Sequence, residues 1–77
     1  MRKKYVMIDE CLPIIFPEGI EHIRFNSIGK ITSAGFLFIS FDELKDKFVV
    51  LAYGKSESLN LVPGEYDEAI IEDFLND

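Results

Sequence analysis

The sequence predicts an α+β domain: a curled antiparallel sheet of five or six strands, a meander close to a barrel, with one C-terminal helix. Three observations predict it. Ile31–Phe41 and Phe48–Tyr53 are apolar runs, rich in β-branched and aromatic residues, that flank a charged loop; this is a hairpin pattern. Shorter segments on either side alternate or break at Pro and Gly. After Pro63-Gly64 the apolar spacing changes from two to the period of a helix.

Lys3–Ile8 reads as the first strand, with Tyr5 and Met7 on one face and Val6 and Ile8 on the other. Asp9-Glu10 makes a turn. Cys11–Phe16 is the second strand, and Pro13, which has no ladder donor, places it at an edge or a bulge. Pro17-Glu18-Gly19 breaks the run. Ile20–Asn26 has the alternation of a third, half-buried strand: Ile23 and Phe25 on one face, His22 and Arg24 on the other. Lys30–Phe41 is the fourth and longest strand. Gly35 lies inside it, where glycine marks a bulge, a bend or a close backbone approach. Phe48–Tyr53 is the fifth strand and Glu57–Val62 a shorter sixth. The helix runs from about residue 66 to 75, with Ile70, Ile71, Phe74 and Leu75 in its apolar stripe. Asp67 projects toward that stripe, so it reads as lying near the helix N-terminus, at the cap or close to it, where a carboxylate is favoured. Short connections make neighbours in sequence pair as hairpins. Closure would protect the apolar strands from edge-to-edge association, with the charges of Asp42–Lys47 as gatekeepers.

Seventy-seven residues make one domain, 1–77, with one core. A chain of this size has little stability to spare. Its single cysteine, Cys11, cannot form an internal disulfide, which leaves self-association as a route to further burial and fits a reducing compartment. The apolar run Tyr5–Ile8 after Arg2-Lys3-Lys4 is too short for a secretory signal. No stretch approaches the roughly 18 apolar residues of a membrane span. A cytoplasmic protein with no membrane contact is expected.

The charge is lopsided. Residues 1–55 hold eight basic and seven acidic side chains, a net of +1, and residues 56–77 hold seven acidic and no basic ones, a net of −7. That distribution argues against nucleic-acid binding, which needs a basic footprint. It is compatible with a basic protein partner, while also serving plain solubility.

Catalytic signatures are weak. Gly54-Lys55-Ser56 matches the end of a phosphate-binding loop, but Val49 stands where the first glycine is required and no helix follows. Ser56 with His22 and a carboxylate would make a hydrolase only if the fold brought them together. Cys11, His22, Asp9, Glu10 and Glu21 lack metal-ligand spacing. No metal or other cofactor is expected. Strand aromatics can stack bases, but Phe36–Phe41 has no interleaved basic residue. The surface feature above background is the acidic helix. Glu68 and Glu72 are like charges four residues apart, and Asp73 lies toward the negative end of the helix dipole. Glu65, Glu68, Glu72 and Asp73 are therefore the candidate contact residues for a basic partner. On a purely polar face, Glu68 and Glu72 would be replaceable by lysine without loss of folding.

Thr32-Ser33-Ala34-Gly35-Phe36, Gly54-Lys55-Ser56-Glu57-Ser58-Leu59 and the closing Ile70-Ile71-Glu72-Asp73-Phe74-Leu75 together resemble small single-domain bacterial proteins of uncharacterised function. The resemblance implies a compact β-rich cytoplasmic domain and carries no catalytic or binding residues with it. The expected function is that of an acidic, non-catalytic interaction or accessory protein, engaging a basic partner or forming a homodimer. The alternative is a small enzyme or ligand-binding domain with a pocket near Ser56 and His22. A deep pocket joining Ser56, His22 and a carboxylate would favour the enzyme, and a broad two-fold interface the interaction module.

Overall fold

The computed structural model describes residues Met1–Asp77. Its strands are β1 (Arg2–Ile8), β2 (Leu12–Phe16), β3 (Ile31–Asp42) and β4 (Lys47–Tyr53), followed by one helix, α1 (Asp67–Asn76). They form an open antiparallel sheet of four strands in the order β2-β1-β3-β4. The α+β class holds. The five or six strands, the meander and the near-barrel do not. Two hairpins are joined side by side through β1 and β3, so β2 and β3 are consecutive in sequence but not in the sheet.

Two expected strands are missing for identifiable reasons. His22–Phe25 winds into a 3₁₀ turn. Residues three apart eclipse in that geometry, and His22 is buried while Phe25 packs beside Phe16 at a ring distance of 4.5 Å. Ile23, assigned to an inward face by alternation, is half exposed instead. The sixth strand shrinks to one bridge, in which Ser56 N–H donates to Leu61 O at 2.8 Å and Leu61 N–H donates back at 3.3 Å. Between them Asn60 takes a positive φ of 56° and Leu59 N–H donates to Ser56 Oγ. A tight loop of this kind has no room for an extended run.

The first turn is of the type favoured in tight hairpins. Asp9 and Glu10 both have positive φ, 51° and 62°, and Cys11 N–H donates to Ile8 O at 3.1 Å. Pro13 does lie on an edge strand, β2. Gly35 permits a close backbone approach: a Cβ there would sit 2.8 Å from Pro63 Cγ and 2.9 Å from Tyr53 O. Pro63 crosses β3 at that point and carries the chain to α1.

Alternation along β1 divides the core between the two faces of the sheet. Tyr5 and Met7 join Leu37 and Ile71 under α1, with Ile70 and Leu75 packed around them. Val6 and Ile8 join Phe16 and Ala34 on the other face, covered by Phe25, Leu59 and Leu61. β1, the central strand most fully buried, is thus sandwiched, while the outer half of the β3–β4 hairpin extends beyond it. Backbone pairing between the two halves reaches only Met1 opposite Ile39. The molecule is accordingly elongated, 38 × 23 × 18 Å. No helix is long and apolar enough to cross a membrane.

Candidate functional site

Three features carry polar chemistry: a buried carboxylate, a buried imidazole and an acidic stripe on α1. The carboxylate is Asp67, only 4% exposed. Its Oδ2 accepts three hydrogen bonds, from Tyr5 Oη at 2.5 Å, Ser33 Oγ at 2.6 Å and Gly64 N at 2.7 Å. The three donors come from β1, β3 and the loop before α1, so this one oxygen ties the helix to both central strands. Asp67 N–H returns a bond to Gly64 O at 3.2 Å. Asp67 is the first residue of α1, at the N-terminus as expected, but it is not the cap. Tyr66 holds that position, with no side-chain cap bond. Burial, reinforced by the bond to Asp67, holds the Tyr5 phenol far above its ordinary pKa, so it remains a neutral donor. A cavity of about 330 Å³ opens beside this network, lined by Glu10, Thr32, Glu65 and Tyr66 among others.

His22 is 3% exposed, edge-on to Phe16 and Phe36 at ring distances of 5.4 and 5.8 Å. Its Nε2 lies 2.9 Å from Gly35 O. A carbonyl can only accept, so Nε2 carries the proton. Burial lowers the pKa of the ring, outweighing the opposing effect of that bond. Ser56 is fully buried, and its hydroxyl oxygen accepts from Leu59 N at 3.3 Å. The second concavity is formed by Gly19, Ile20, Glu21 and Arg24. Neither concavity is lined by Ser56 or His22. The geometry expected of a serine hydrolase, with both residues and a carboxylate in one pocket, is absent. No group of three or more His, Cys, Asp or Glu side chains is placed to hold a metal ion.

The acidic stripe is organised differently from a free polar face. β4 is an edge strand, and three of its N–H groups are met by side chains of α1. Ala52 N–H donates to Glu68 Oε2 at 2.7 Å, Val50 N–H to Glu72 Oε2 at 3.1 Å, and Phe48 N–H to Asn76 Oδ1 at 2.7 Å. Asn76 Nδ2 also donates to Phe48 O at 2.9 Å, so its carboxamide pairs with β4 as a peptide group of another strand would. Residues 68, 72 and 76 share one helix stripe, and residues 48, 50 and 52 one side of a strand. The helix runs antiparallel to β4, matching one turn to each two-residue step. Lys47 Nζ adds a contact to Glu72 at 3.9 Å. Of the four acids read as contact residues, Glu68 and Glu72 are half-buried and engaged within the fold, and Glu65 and Asp73 are exposed. The expectation that Glu68 and Glu72 can become lysines without loss of folding is therefore revised: a lysine at either position offers no acceptor to the β4 edge.

Sequence reasoning missed the role of Asp67, although a lone carboxylate on an apolar stripe was its signal. It also missed the pairing of the acids with β4, for which the tolerated like-charge spacing was the clue. Comparison with protein-family models, with curated proteins and with solved structures finds no match to this chain.

Proposed function

We propose that this chain is a small non-catalytic interaction protein that docks onto another protein, a basic one or a second copy of itself, through the projecting β3–β4 hairpin. The observation that carries this reading is the concentration of exposed large apolar side chains there. Phe38, Phe41, Leu44, Phe48 and Leu51 are 47%, 48%, 99%, 40% and 58% exposed. They are paired across the hairpin, Phe38 with Leu51 on one face and Phe41 with Phe48 on the other; the latter two rings meet edge-to-face at 5.2 Å. Large apolar side chains left in solvent on both faces of one projecting hairpin mark it as an interaction surface. Asp73, three residues from the Asn76 that holds Phe48, supplies acidic flanking charge, and the net charge of −6 disfavours nucleic acid as the partner. The setting that fits is cytoplasmic, where the exposed Cys11 stays reduced.

The test is site-specific photo-crosslinking in the source cells. A photoreactive residue at Leu51 is expected to capture a protein of defined mass, and one at the exposed Glu57, away from the hairpin, to capture none. Equal yields from the two positions would refute the reading.

A further inference from the structure

The network around Asp67 leaves one atom unused. Oδ2 takes all three donors, from Tyr5, Ser33 and Gly64, and Oδ1 makes no hydrogen bond. No fully enclosed side-chain oxygen or nitrogen of the chain lacks a partner. Oδ1, on a residue only 4% exposed, is therefore open to the cavity that Asp67 helps to line. A Cβ at Gly64 would lie 2.8 Å from this oxygen, so a glycine at that position keeps the approach clear. A carboxylate oxygen held in such a place favours a donor that comes from outside the chain.

The rest of the lining sets the charge of that donor. Glu10 and Glu65 also line the cavity, and no basic side chain does. Neither acid takes part in a salt bridge. Glu10 is pinned at the rim: its N–H donates to Thr32 Oγ1 at 3.0 Å, and that hydroxyl donates in turn to Met7 O at 3.2 Å. Thr32 Oγ1 keeps one lone pair for a further donor. The three carboxylates do not converge into a group that could hold a metal ion. Ile70 and Tyr66 add an apolar wall. A volume of about 330 Å³ lies at the small end of ligand pockets, roughly 300–1,000 Å³.

We propose that this cavity binds a primary alkylammonium group. Asp67 Oδ1 and Thr32 Oγ1 accept from its N–H donors, Glu10 and Glu65 supply the remaining negative charge, and the alkyl chain lies along Ile70 and Tyr66. A free amine and a lysine side chain both carry this group. The site stands at the Thr32–Ser33 end of β3, and the hairpin loop follows Asp42 at the other, so it is independent of the docking proposed above.

The test is an amide-shift NMR titration at constant ionic strength with n-butylammonium chloride, and with butan-1-ol as the neutral control. The ammonium is expected to give saturable shifts at Thr32, Glu65 and Asp67 with a millimolar Kd, and the alcohol none. Asp67→Asn keeps an oxygen for the three donors and turns an NH2 into the cavity, so it should abolish the shifts. Glu10→Gln with Glu65→Gln alters two exposed side chains. It should weaken binding roughly fivefold and leave the thermal midpoint unchanged, and it decides should Asp67→Asn fail to fold. Doubly capped lysine, acetylated at its α-amine and amidated at its carboxyl, distinguishes the sources. An affinity equal to that of butylammonium assigns a lysine side chain, and loss of binding assigns a free amine. Shifts that never saturate, equal shifts from the alcohol, or full affinity in the double Gln variant would each overturn the proposal.

Discussion

Replacing Asp67 by alanine removes the single acceptor shared by Tyr5, Ser33 and Gly64. Tyr5 and Ser33 are both buried, at 0% and 6% exposure, so neither donor can turn to water without opening the core. Each stranded donor costs about 1–3 kcal/mol. Relief of the desolvation of a buried carboxylate offsets part of that sum. A net loss of about 3–4 kcal/mol follows, against a total stability of roughly 4–11 kcal/mol for a chain of this length. The midpoint of thermal unfolding should fall by roughly 15–25 °C. The chain has no tryptophan, so urea and thermal unfolding are best followed by far-UV circular dichroism. Tyr5→Phe removes one donor and leaves the acceptor with two, so it should cost about 1 kcal/mol. In the double variant the two losses should be markedly less than additive, because the phenol has no bond left to lose. A loss under 1 kcal/mol for Asp67→Ala, or strict additivity in the double variant, would refute the idea that this oxygen is the tie between helix and sheet.

Other perturbations have equally definite outcomes. Gly35→Ala drives a methyl into Pro63 and the carbonyl of Tyr53 and should cost about 1–3 kcal/mol in urea unfolding. Asp9→Asn with Glu10→Gly places the preferred residues in a turn that needs two positive φ values, and should stabilise the protein by about 0.5–1 kcal/mol in the same assay. His22 has a folded pKa below its ordinary value of 6.5, chiefly through burial. The unfolded chain therefore binds the proton first, and stability present above pH 6.5 is lost as the pH falls toward the folded pKa. His22→Gln should flatten the fall in urea midpoint between pH 7 and 5, and an NMR titration of the wild-type ring should give a pKa under 6.5.

Much of the scaffold was legible because it rests on local pattern. Alternation assigned Tyr5 and Met7 to one face and Val6 and Ile8 to the other, and those four residues found two separate cores. Pro13 marked an edge, and Gly35 a close approach. The failures are of two kinds. Seven residues are too few to separate period two from period three, so Ile20–Asn26 read as strand when His22 and Phe25 were eclipsed on a 3₁₀ turn. The other failures are long-range. Tyr5 and Asp67 are 62 residues apart in sequence, and no local spacing connects them. Glu68 and Glu72 look like a destabilising pair until each is seen to receive its own backbone N–H from β4.

The seal along β4 also has a metric limit. Four helical residues advance about 6.0 Å, whereas two strand residues advance about 6.4–6.8 Å. The two scales therefore slip by roughly half an ångström or more at each rung, like a vernier, and the helix stripe also rotates by about 40° at each step. Side chains as long as glutamate absorb that slip for the three rungs at Ala52, Val50 and Phe48. At a fourth rung the accumulated slip is roughly 1–2.5 Å, enough to break hydrogen-bond geometry. A seven-residue strand and a ten-residue helix are thus matched in length: a longer β4 would outrun its cover however far α1 were extended.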